Sequence, residues 1–365
     1  QRFERHLAQV VSIQGDATLH RIVEARQQVG HGRLAGSAWP YQGHQLARLD
    51  GEGEVAQCPA AAGRRRRSVL VVALPRTLPL SQRGGVFPQI AKGHILKADA
   101  ASNYVKLDSI VDTLRYKNIY TICRIVVFKD PLLAKSRPDL TVQDKYGGPW
   151  GKGLWVDPYS KEVWDYNLAV AEAAARAGFQ EVQFDYMRFP SDGDTRTCVY
   201  PHQDGRSPGE VIDCFINYAR QRLSPYNVFL SSDVFGLTAS KQGEMGIGQK
   251  IAALAKRLDY LSPMVYPSHY NSGEYNIKNP ESNPGDTVSK SIDEFKKAVS
   301  GTGCLLRPWL QDFSLKVTYT PDMVRRQIDA VESRGVRQWL LWNPNCTYYE
   351  SALKPQKPPR SPKEK

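Results

Sequence analysis

Residues 181–192 have the sequence Glu181-Val-Gln-Phe-Asp-Tyr-Met-Arg-Phe-Pro-Ser-Asp192, a short alternating strand followed by a polar loop. Because side chains alternate along a strand, Glu181, Gln183 and Asp185 lie on one face and apolar residues on the other. A helical stretch, residues 161–177, precedes the strand. The segment therefore predicts a helix that leads into a strand, with Asp185 at the strand's carboxyl end.

Five further helix and strand pairs surround this unit, and their alternation is typical of parallel βα architecture. The predicted helices cover residues 107–116, 208–223, 247–257, 291–299 and 321–334, and the strands after them cover residues 119–128, 228–234, 260–266, 304–310 and 338–342. Six units favour an α/β fold of the (β/α)8 TIM-barrel type, whose active groups follow the carboxyl ends of the strands. No glycine-rich phosphate loop supports an open doubly wound sheet.

The first two barrel strands are poorly represented in this chain. They would have to come from residues 65–105, where only residues 68–74 and 94–98 have strand character. Residues 1–88 hold twelve arginines and no lysine, unlike the rest of the chain. We expect residues 1–88 to be a disordered or mistranslated leader rather than a separate arginine-rich module, residues 89–351 to form the barrel, and residues 352–365, rich in Pro and Lys, to be a disordered tail.

The formal net charge of +12 is concentrated at the two ends of the chain. Residues 1–91 carry +6 and residues 352–365 carry +4, which leaves +2 for the stretch between them. Nucleic-acid-binding domains concentrate basic charge on the folded surface. The nearly neutral body therefore argues against a specific nucleic-acid partner.

Membrane and disulfide signals are weak. The longest apolar run, residues 68–75, is far shorter than the ~20 residues that a transmembrane helix needs. Four arginines precede this run, but it lies too far along the chain for a signal peptide. The six cysteines form no C-x-x-C pair, which disfavours a zinc site or a disulfide scaffold and leaves a Cys198 to Cys214 bridge open. Compartment and oligomeric state stay undetermined.

Carboxylates and aromatic rings follow the predicted strands where a barrel carries its active site. The candidate catalytic carboxylates are Asp185, Asp233 and Asp312. Glycoside hydrolysis uses a pair of carboxyl groups, and flat rings stack on sugars. We expect Asp185 to be a nucleophile that Arg188 keeps ionised, and Asp233 to be an acid that burial keeps protonated. The candidate substrate-binding residues are Arg188, Tyr186, Tyr266, His269, Trp309 and Trp342.

Each candidate also has a structural interpretation. A strand-end aspartate can cap the next loop or helix, and Arg188 can pair with Asp185 or Asp192. His269 can position a loop, and Trp309 and Trp342 can fill core. Three other acids are expected to be structural: Glu181 inside the barrel, and Asp130 and Asp157 at helix starts.

Seven motifs together resemble one family. They are Ala101-Ser-Asn-Tyr-Val-Lys-Leu-Asp108, Arg124-Ile-Val-Val-Phe-Lys-Asp-Pro-Leu-Leu-Ala134, Trp155-Val-Asp-Pro-Tyr-Ser160, Gln183-Phe-Asp-Tyr-Met-Arg-Phe-Pro-Ser-Asp192, Ser232-Asp-Val-Phe-Gly236, Ser262-Pro-Met-Val-Tyr-Pro-Ser-His-Tyr270 and Arg307-Pro-Trp-Leu-Gln-Asp-Phe313. Through them, residues from about 90 to 350 resemble the putative glycosyl hydrolase domain family, a bacterial group of TIM-barrel proteins. The resemblance implies a polysaccharide or oligosaccharide substrate and export or cell-surface attachment, although this chain shows no export signal.

The resemblance also implies roles for the three aspartates. By similarity to barrel glycosidases of the α-amylase type, Asp185 takes the place of the nucleophile at the end of the fourth strand. Asp233, at the end of the fifth, takes that of the general acid, where the shorter Asp replaces the usual Glu. Asp312 matches the third carboxylate. The alternative acid comes from the sixth-strand loop, which carries Tyr266 and His269.

These inferences predict a glycoside hydrolase that cleaves an α-linked polysaccharide with retention of configuration. The alternative is a non-catalytic carbohydrate-binding barrel, in which the rings hold sugar and the acids only hydrogen-bond it. Metal-dependent hydrolysis needs clustered His and Asp ligands, and only His202 and His269 follow His94. No metal or cofactor is therefore predicted.

Overall fold

The computed structural model of the protein describes residues 10–12, 69–73, 107–116, 119–240, 245–345 and 347–353. Its strands are β1 (Val10–Ser12), β2 (Val69–Ala73), β3 (Tyr120–Val126), β4 (Glu181–Asp185), β5 (Phe229–Phe235), β6 (Tyr260–Met264), β7 (Leu305–Leu306), β8 (Trp309–Gln311) and β9 (Leu340–Trp342). Its helices are α1 (Leu107–Tyr116), α2 (Pro131–Ser136), α3 (Lys161–Arg176), α4 (Pro208–Leu223), α5 (Ile251–Leu254), α6 (Pro284–Ala298) and α7 (Pro321–Ser333).

The strands form one curled sheet with helices packed on its outer face. Their order is β1-β2-β3-β4-β5-β6-β8-β9, and β7 also pairs with β6. The pairings from β2 onward are parallel, while β1 pairs with β2 antiparallel. β1 approaches β9 to within 8 Å between Cα atoms, so the two edges of the sheet come close together. The curled parallel α/β sheet confirms the predicted TIM-barrel-like class.

The six predicted helix and strand units are present, with three local differences. The strand expected over 304–310 is split into β7 and β8 around Pro308, because proline has no N–H to donate to a ladder. The helix expected over 247–257 is reduced to α5, because Gly246 and Gly248 adopt left-handed backbone conformations with φ of 71° and 86°. The next helix, α6, begins earlier than expected, with Pro284 in its first turn.

The front of the sheet comes from the compositionally unusual part of the chain. β2 confirms the strand expected within residues 68–74 and pairs with β3. The other candidate, residues 94–98, lies outside the described residues, as do most of residues 1–88 and residues 354–365. β1 occupies the edge beyond β2, and its antiparallel direction differs from that of an all-parallel barrel.

The outer core joins the helices to the sheet. Phe215 of α4 is fully buried and makes edge contacts with Phe128, Trp164 and Phe184, at ring-centroid distances of 5.3, 5.8 and 5.4 Å. Phe184 lies between Gln183 and Asp185 on β4 and points outward, as the alternation of that strand predicts. The polar residues of β4 therefore point into the curled sheet.

The interior of the curled sheet holds a buried ion pair between Arg307 and Glu181. Arg307 Nη1 donates to both carboxylate oxygens of Glu181, at 2.9 and 2.8 Å. Glu181 also accepts from the Tyr120 hydroxyl at 2.9 Å and from Ser231 Oγ at 2.5 Å. The Tyr260 ring centroid lies 3.7 Å from Arg307 Cζ. The expectation that Glu181 is an interior structural acid is confirmed.

The two loop acids behave differently from each other. Asp130 caps α2 as expected, and its Oδ1 accepts from the backbone N–H groups of Leu132 and Leu133, both at 3.0 Å. Asp157 was expected to cap a helix but instead joins two loops, since it accepts from the backbone N–H groups of Tyr159 and His202 at 2.9 Å each. Ser160 occupies the cap position of α3.

Two further sequence expectations concern membranes and cysteines. Among the described residues, none of the helices has both the length and the apolar character needed to cross a bilayer. Cys198 and Cys214 are free thiols, so the bridge that their spacing left open is absent between these two residues.

Candidate active site

The carboxyl ends of the parallel strands carry a cluster of charged and aromatic side chains. Strand β3 supplies Arg124, the end of β4 supplies Asp185, and β5 supplies Asp233. Phe184 of β4 pairs with Ser232 of β5, so the two aspartates occupy the next position of neighbouring strands. Strand order and register therefore bring together three residues that are far apart in the chain.

Arg124 links the two aspartates. Its Nη2 forms a short ion pair with Asp185 Oδ2, and its Nε donates to Asp233 Oδ2 at 3.0 Å. Burial lowers the pKa of Arg124, but the two carboxylates outweigh this effect and raise it above its usual value. Arg124 is thus a permanent positive charge between two carboxyl groups.

Asp233 is buried behind this pair of charges, with 1% of its surface exposed. Its Oδ1 accepts from Trp309 Nε1 at 2.7 Å, so both of its oxygens are hydrogen-bonded. Burial raises the pKa of Asp233 to about 8, the charge of Asp185 adds to this increase, and Arg124 and Trp309 oppose it. Burial therefore favours the protonated form of Asp233, whereas its two hydrogen bonds, both from N–H donors, favour the ionised form.

Asp185 occupies the turn that leaves β4. Its Oδ1 accepts from the backbone N–H of Tyr186 at 2.7 Å, and Tyr186 has a left-handed conformation with φ of 50°. Such a conformation is strained for an aromatic residue, and strain of this kind concentrates at functional sites. The turn directs Asp185 and the Tyr186 ring into the same space.

A cavity of about 380 Å³ opens at this end of the sheet. Six of the nine candidate residues line it: Asp185, Tyr186, Arg188, Tyr266, His269 and Trp342. The other three, Asp233, Asp312 and Trp309, are 1% exposed each and are not among the residues that line it. The structure therefore separates the candidates into a set that faces the cavity and a set beneath or beside it.

The partner expected for Asp185 is a different arginine from the one observed. Arg188 Nη1 donates to the backbone oxygen of Phe189 at 3.0 Å and to Ser191 Oγ at 2.9 Å. No described carboxylate forms an ion pair with Arg188, and Arg124 pairs with Asp185 instead. Arg188 therefore makes no ion pair with Asp185, and its side chain bonds to the Ser191 loop.

Sequence reasoning missed the three other charged residues that line the cavity, Arg124, Lys129 and Asp192. Arg124 lies two residues after Ile122 and four residues after Tyr120, so all three side chains are on the inward face of β3. A charged residue at an inward-facing strand position is the sequence signal that could have identified it. Lys129 and Asp192 form an ion pair of 3.1 Å at the rim. Both lie in loops at strand ends, where barrel enzymes carry functional groups.

Much of the remaining wall is aromatic. Tyr266 and His269 contact each other edge to face at a centroid distance of 5.5 Å, and burial lowers the pKa of His269. Trp342 lies 4.9 Å from Arg124 Cζ and contacts Trp309 edge to face. Trp309 is core and donates to Asp233, so its surface is not available to stack on a sugar.

Gly236 brings a backbone segment close to the cavity. A Cβ atom at this position would overlap the Tyr270 hydroxyl and would lie 2.6 Å from the Met264 carbonyl oxygen. The glycine of the Asp-Val-Phe-Gly motif is therefore required by close packing of the loop that follows β5.

The family of the protein follows from the match of the whole site region. Residues 82–348 match the model described as the putative glycosyl hydrolase domain. The chain belongs to this family. All of the cavity residues named above lie within the matched family region.

Several solved structures are similar to part of this chain. A hypothetical protein from Ruminiclostridium thermocellum is 31% identical, and the match covers 46% of this chain and 83% of that one with a TM-score of 0.38. The PgaB (BpsB) glycoside hydrolase domain from Bordetella bronchiseptica is 13% identical, with 65% and 74% coverage and a TM-score of 0.48. A Group IV chitinase from Ostrinia furnacalis is 12% identical, with 56% and 50% coverage and a TM-score of 0.37. No curated protein is similar enough in sequence to match the chain.

Metal ligation finds no support in the described part of this family member. No three His, Cys, Asp or Glu side chains there are grouped so that they could hold a metal ion. His202 contacts Asp157 at 3.1 Å, away from the residues that line the cavity.

Asp312 lies outside the cavity, just after β8. Its Oδ2 accepts from the backbone N–H of Tyr349 at 3.2 Å, while its buried Oδ1 has no partner among the described residues. Burial raises the pKa of Asp312 to about 6, and the Tyr349 N–H opposes this increase. The third candidate carboxylate therefore contacts the segment after β9 and does not face the cavity.

This pKa predicts how stability changes with pH at Asp312. An unfolded aspartate titrates near 4, so folding takes up a proton between about pH 4 and pH 6, and stability falls as pH rises through that range. We expect Asp312→Asn to be more stable relative to wild type at pH 7.5 than at pH 4. Urea unfolding at both values measures the difference. An equal difference at the two pH values would contradict the burial effect.

Proposed function

We propose that this protein hydrolyses glycosidic bonds of a polysaccharide, α-linked and with retention of configuration, and that Asp185 is its nucleophile. The observation that carries the proposal is the arrangement of charged and aromatic groups around Asp185. This carboxylate faces an aromatic-lined cavity and is paired with Arg124, while burial raises the pKa of its neighbour Asp233. One ionised and one protonated carboxyl group are what a retaining glycosidase needs.

In the proposed first step, an Asp185 oxygen attacks the anomeric carbon while a general acid protonates the departing glycosidic oxygen. The product is a glycosyl ester on Asp185 and a free sugar end. Water then attacks the same carbon, the deprotonated acid takes the proton of that water, and the bond to Asp185 breaks. Arg124 pairs with the Asp185 carboxylate before attack and stabilises its negative charge again when it leaves.

The identity of the acid is the second part of the proposal. A pKa raised by burial and a position beside Asp185 support Asp233. Its oxygens are held by Trp309 and Arg124, so proton transfer requires one of these hydrogen bonds to open or a water molecule to carry the proton. Asp192 at the cavity rim is the competing acid, since it lines the cavity directly.

The alternative proposal is carbohydrate binding without catalysis. The burial of Asp233 favours it, because a barrel with a single carboxylate deep in its cavity can hold sugar without a second group to protonate the leaving oxygen. Release of reducing ends from a panel of α-linked and β-linked polysaccharides separates the two. Hydrolysis supports the enzyme, whereas binding with no hydrolysis of any polymer supports the binding protein.

If Asp233 is the general acid, the loss of rate in an Asp233 variant should depend on the leaving group of the substrate. We expect Asp233→Asn to lower the rate on a polysaccharide by about 10²-fold to 10³-fold, as for loss of a general acid. A dinitrophenyl glycoside of the same sugar departs without a proton, so the variant should form the glycosyl enzyme from it at nearly the wild-type rate. In wild type, activity on the polysaccharide should fall as pH rises above about 8.

The matched control for this experiment is Asp192→Asn. If Asp192→Asn shows the leaving-group effect and Asp233→Asn does not, the acid is Asp192. If Asp233→Asn is equally slow on both substrates, Asp233 only positions Arg124 and Asp185. Product analysis by proton NMR during the first minutes tests retention, because the initial anomer has the substrate's configuration.

A further inference from the structure

Arg188 is a buried cation that forms no ion pair with a described carboxylate, although the charges of Asp192 and Asp185 act on it. Only 4% of its surface is exposed, and it lines the cavity together with Asp185. Its hydrogen bonds to described residues use Nη1 alone and go to two neutral acceptors, Phe189 O and Ser191 Oγ. Among the described residues no carboxylate pairs with it. The remaining donor nitrogens, Nε and Nη2, are therefore available to a group in the cavity.

Aromatic rings surround this guanidinium. The ring centroids of Trp155, Tyr186 and Phe235 lie 5.0, 5.0 and 4.4 Å from Arg188 Cζ. Such rings stabilise a cation weakly, but they also remove water from it. An arginine stays protonated in proteins, so burial without a counter-ion costs free energy that a bound anion would recover.

A second cation lies near Tyr186. Lys129 Nζ lies 5.0 Å from the Tyr186 ring centroid and forms the rim ion pair with Asp192. Arg188 Cζ lies at the same distance from that ring, and Asp185 is in the turn just before it. Three cations, Arg124, Lys129 and Arg188, therefore line the cavity beside two carboxylates, Asp185 and Asp192.

We propose that the cavity binds a uronic acid unit of an acidic polysaccharide, with the sugar carboxylate on Arg188 and the sugar ring against Tyr186. This inference rests on the proposed hydrolase and names its substrate class. The free Nε and Nη2 of Arg188 form the planar fork that matches two carboxylate oxygens. A neutral sugar would leave this buried fork unpaired, so the same residue also disfavours neutral polymers.

The test compares polymers that differ only in their carboxyl groups. Polygalacturonate, alginate and hyaluronate are each compared with the neutral polymer made from them by carboxyl reduction. Dextran sulfate is compared with dextran to test whether a sulfate group is recognised instead of a carboxylate. The folded full chain is assayed for reducing ends. We expect one acidic polymer to be cleaved at least about tenfold faster than its reduced counterpart, and dextran sulfate to give no such preference.

Arg188→Gln is the variant that connects this preference to the buried arginine. It should raise KM for the acidic polymer about tenfold or more and reduce the ratio of acidic to reduced rates toward one. The matched control is Arg196→Gln, which removes an exposed guanidinium paired with Asp194 and should leave the ratio unchanged. Thermal unfolding of both variants confirms that they fold.

The outcomes separate this inference from the proposed function. Equal cleavage of acidic and reduced polymers, or an unchanged ratio in Arg188→Gln, overturns the inference and leaves the hydrolase intact. A preference for sulfated over carboxylated polymer overturns the uronic acid assignment. If wild type cleaves nothing, binding of the same polymers is measured by calorimetry. Binding of an acidic polymer that Arg188→Gln weakens supports the site without the hydrolase, and no such binding overturns both.

Discussion

Asp185→Asn should abolish hydrolysis while the protein still folds and still binds its polysaccharide. Asparagine keeps the size of the side chain and can still accept from the Tyr186 N–H, but it cannot form the glycosyl ester or carry the charge that pairs with Arg124. Loss of a catalytic nucleophile commonly lowers kcat by about 10⁴-fold or more. Initial rates of reducing-end release from the polymer cleaved by wild type measure the effect.

Two measurements distinguish loss of the nucleophile in these Asp185 variants from loss of the folded cavity. Binding of the same polymer by Asp185→Asn, measured by calorimetry, shows that the cavity has kept its shape. Addition of azide to Asp185→Gly should restore turnover and give a glycosyl azide of inverted configuration, since a small nucleophile then replaces the carboxylate. The control is Asp194→Asn, at an exposed aspartate that pairs with Arg196.

If a folded Asp185→Asn variant keeps more than a tenth of wild-type activity, Asp185 is not the nucleophile. Asp192 would then be the carboxylate left at the cavity. Binding without hydrolysis in both wild type and variant would instead favour the non-catalytic alternative.

Arg307→Met should produce the largest loss of stability of any single change considered. The substitution leaves the Glu181 carboxylate buried at 0% exposure without its cation, and removal of one partner from a buried pair typically costs about 3–5 kcal/mol. Tyr120 and Ser231 still donate to Glu181, but neither neutralises its charge. Urea unfolding at neutral pH measures the decrease in the free energy of unfolding.

A double-mutant cycle tests whether the pair itself causes this loss. Glu181→Gln combined with Arg307→Met should be destabilised by less than the sum of the single variants, because the second substitution removes the charge that the first left unpaired. The surface control Arg196→Met should unfold at the wild-type urea concentration. Additive single effects would mean that Arg307 stabilises the fold through packing on Tyr260 instead.

Local sequence patterns were sufficient for most of the secondary structure. The alternation in β4 and the capping box of Ser207 and Glu210 at the start of α4 are short-range signals that do not depend on distant residues. The predicted element bounds were wrong where a proline or a glycine changes the backbone conformation. Pro308 splits one predicted strand, and two glycines shorten the helix before β6.

The site could be predicted in part, because strand ends in a parallel sheet gather at one edge. That rule was enough to select Asp185, Tyr266, His269 and Trp342, which all line the cavity. It could not tell which strand-end side chains face the cavity and which lie beneath it. Asp233 and Trp309 bond to each other across β5 and β8, and this contact depends on how the sheet curls.

Patterns along the chain are enough to predict the order of helices and strands, the family, and the position of Asp185 at the end of its strand. The electrostatic partners depend on tertiary structure. Arg188 lies three residues from Asp185 but bonds to Ser191 instead, whereas Arg124 is 61 residues away and pairs with Asp185. The physical reason is that charge pairing follows distance through space, which is set by register and by the backbone turn at Tyr186, whereas a sequence pattern reports distance along the chain.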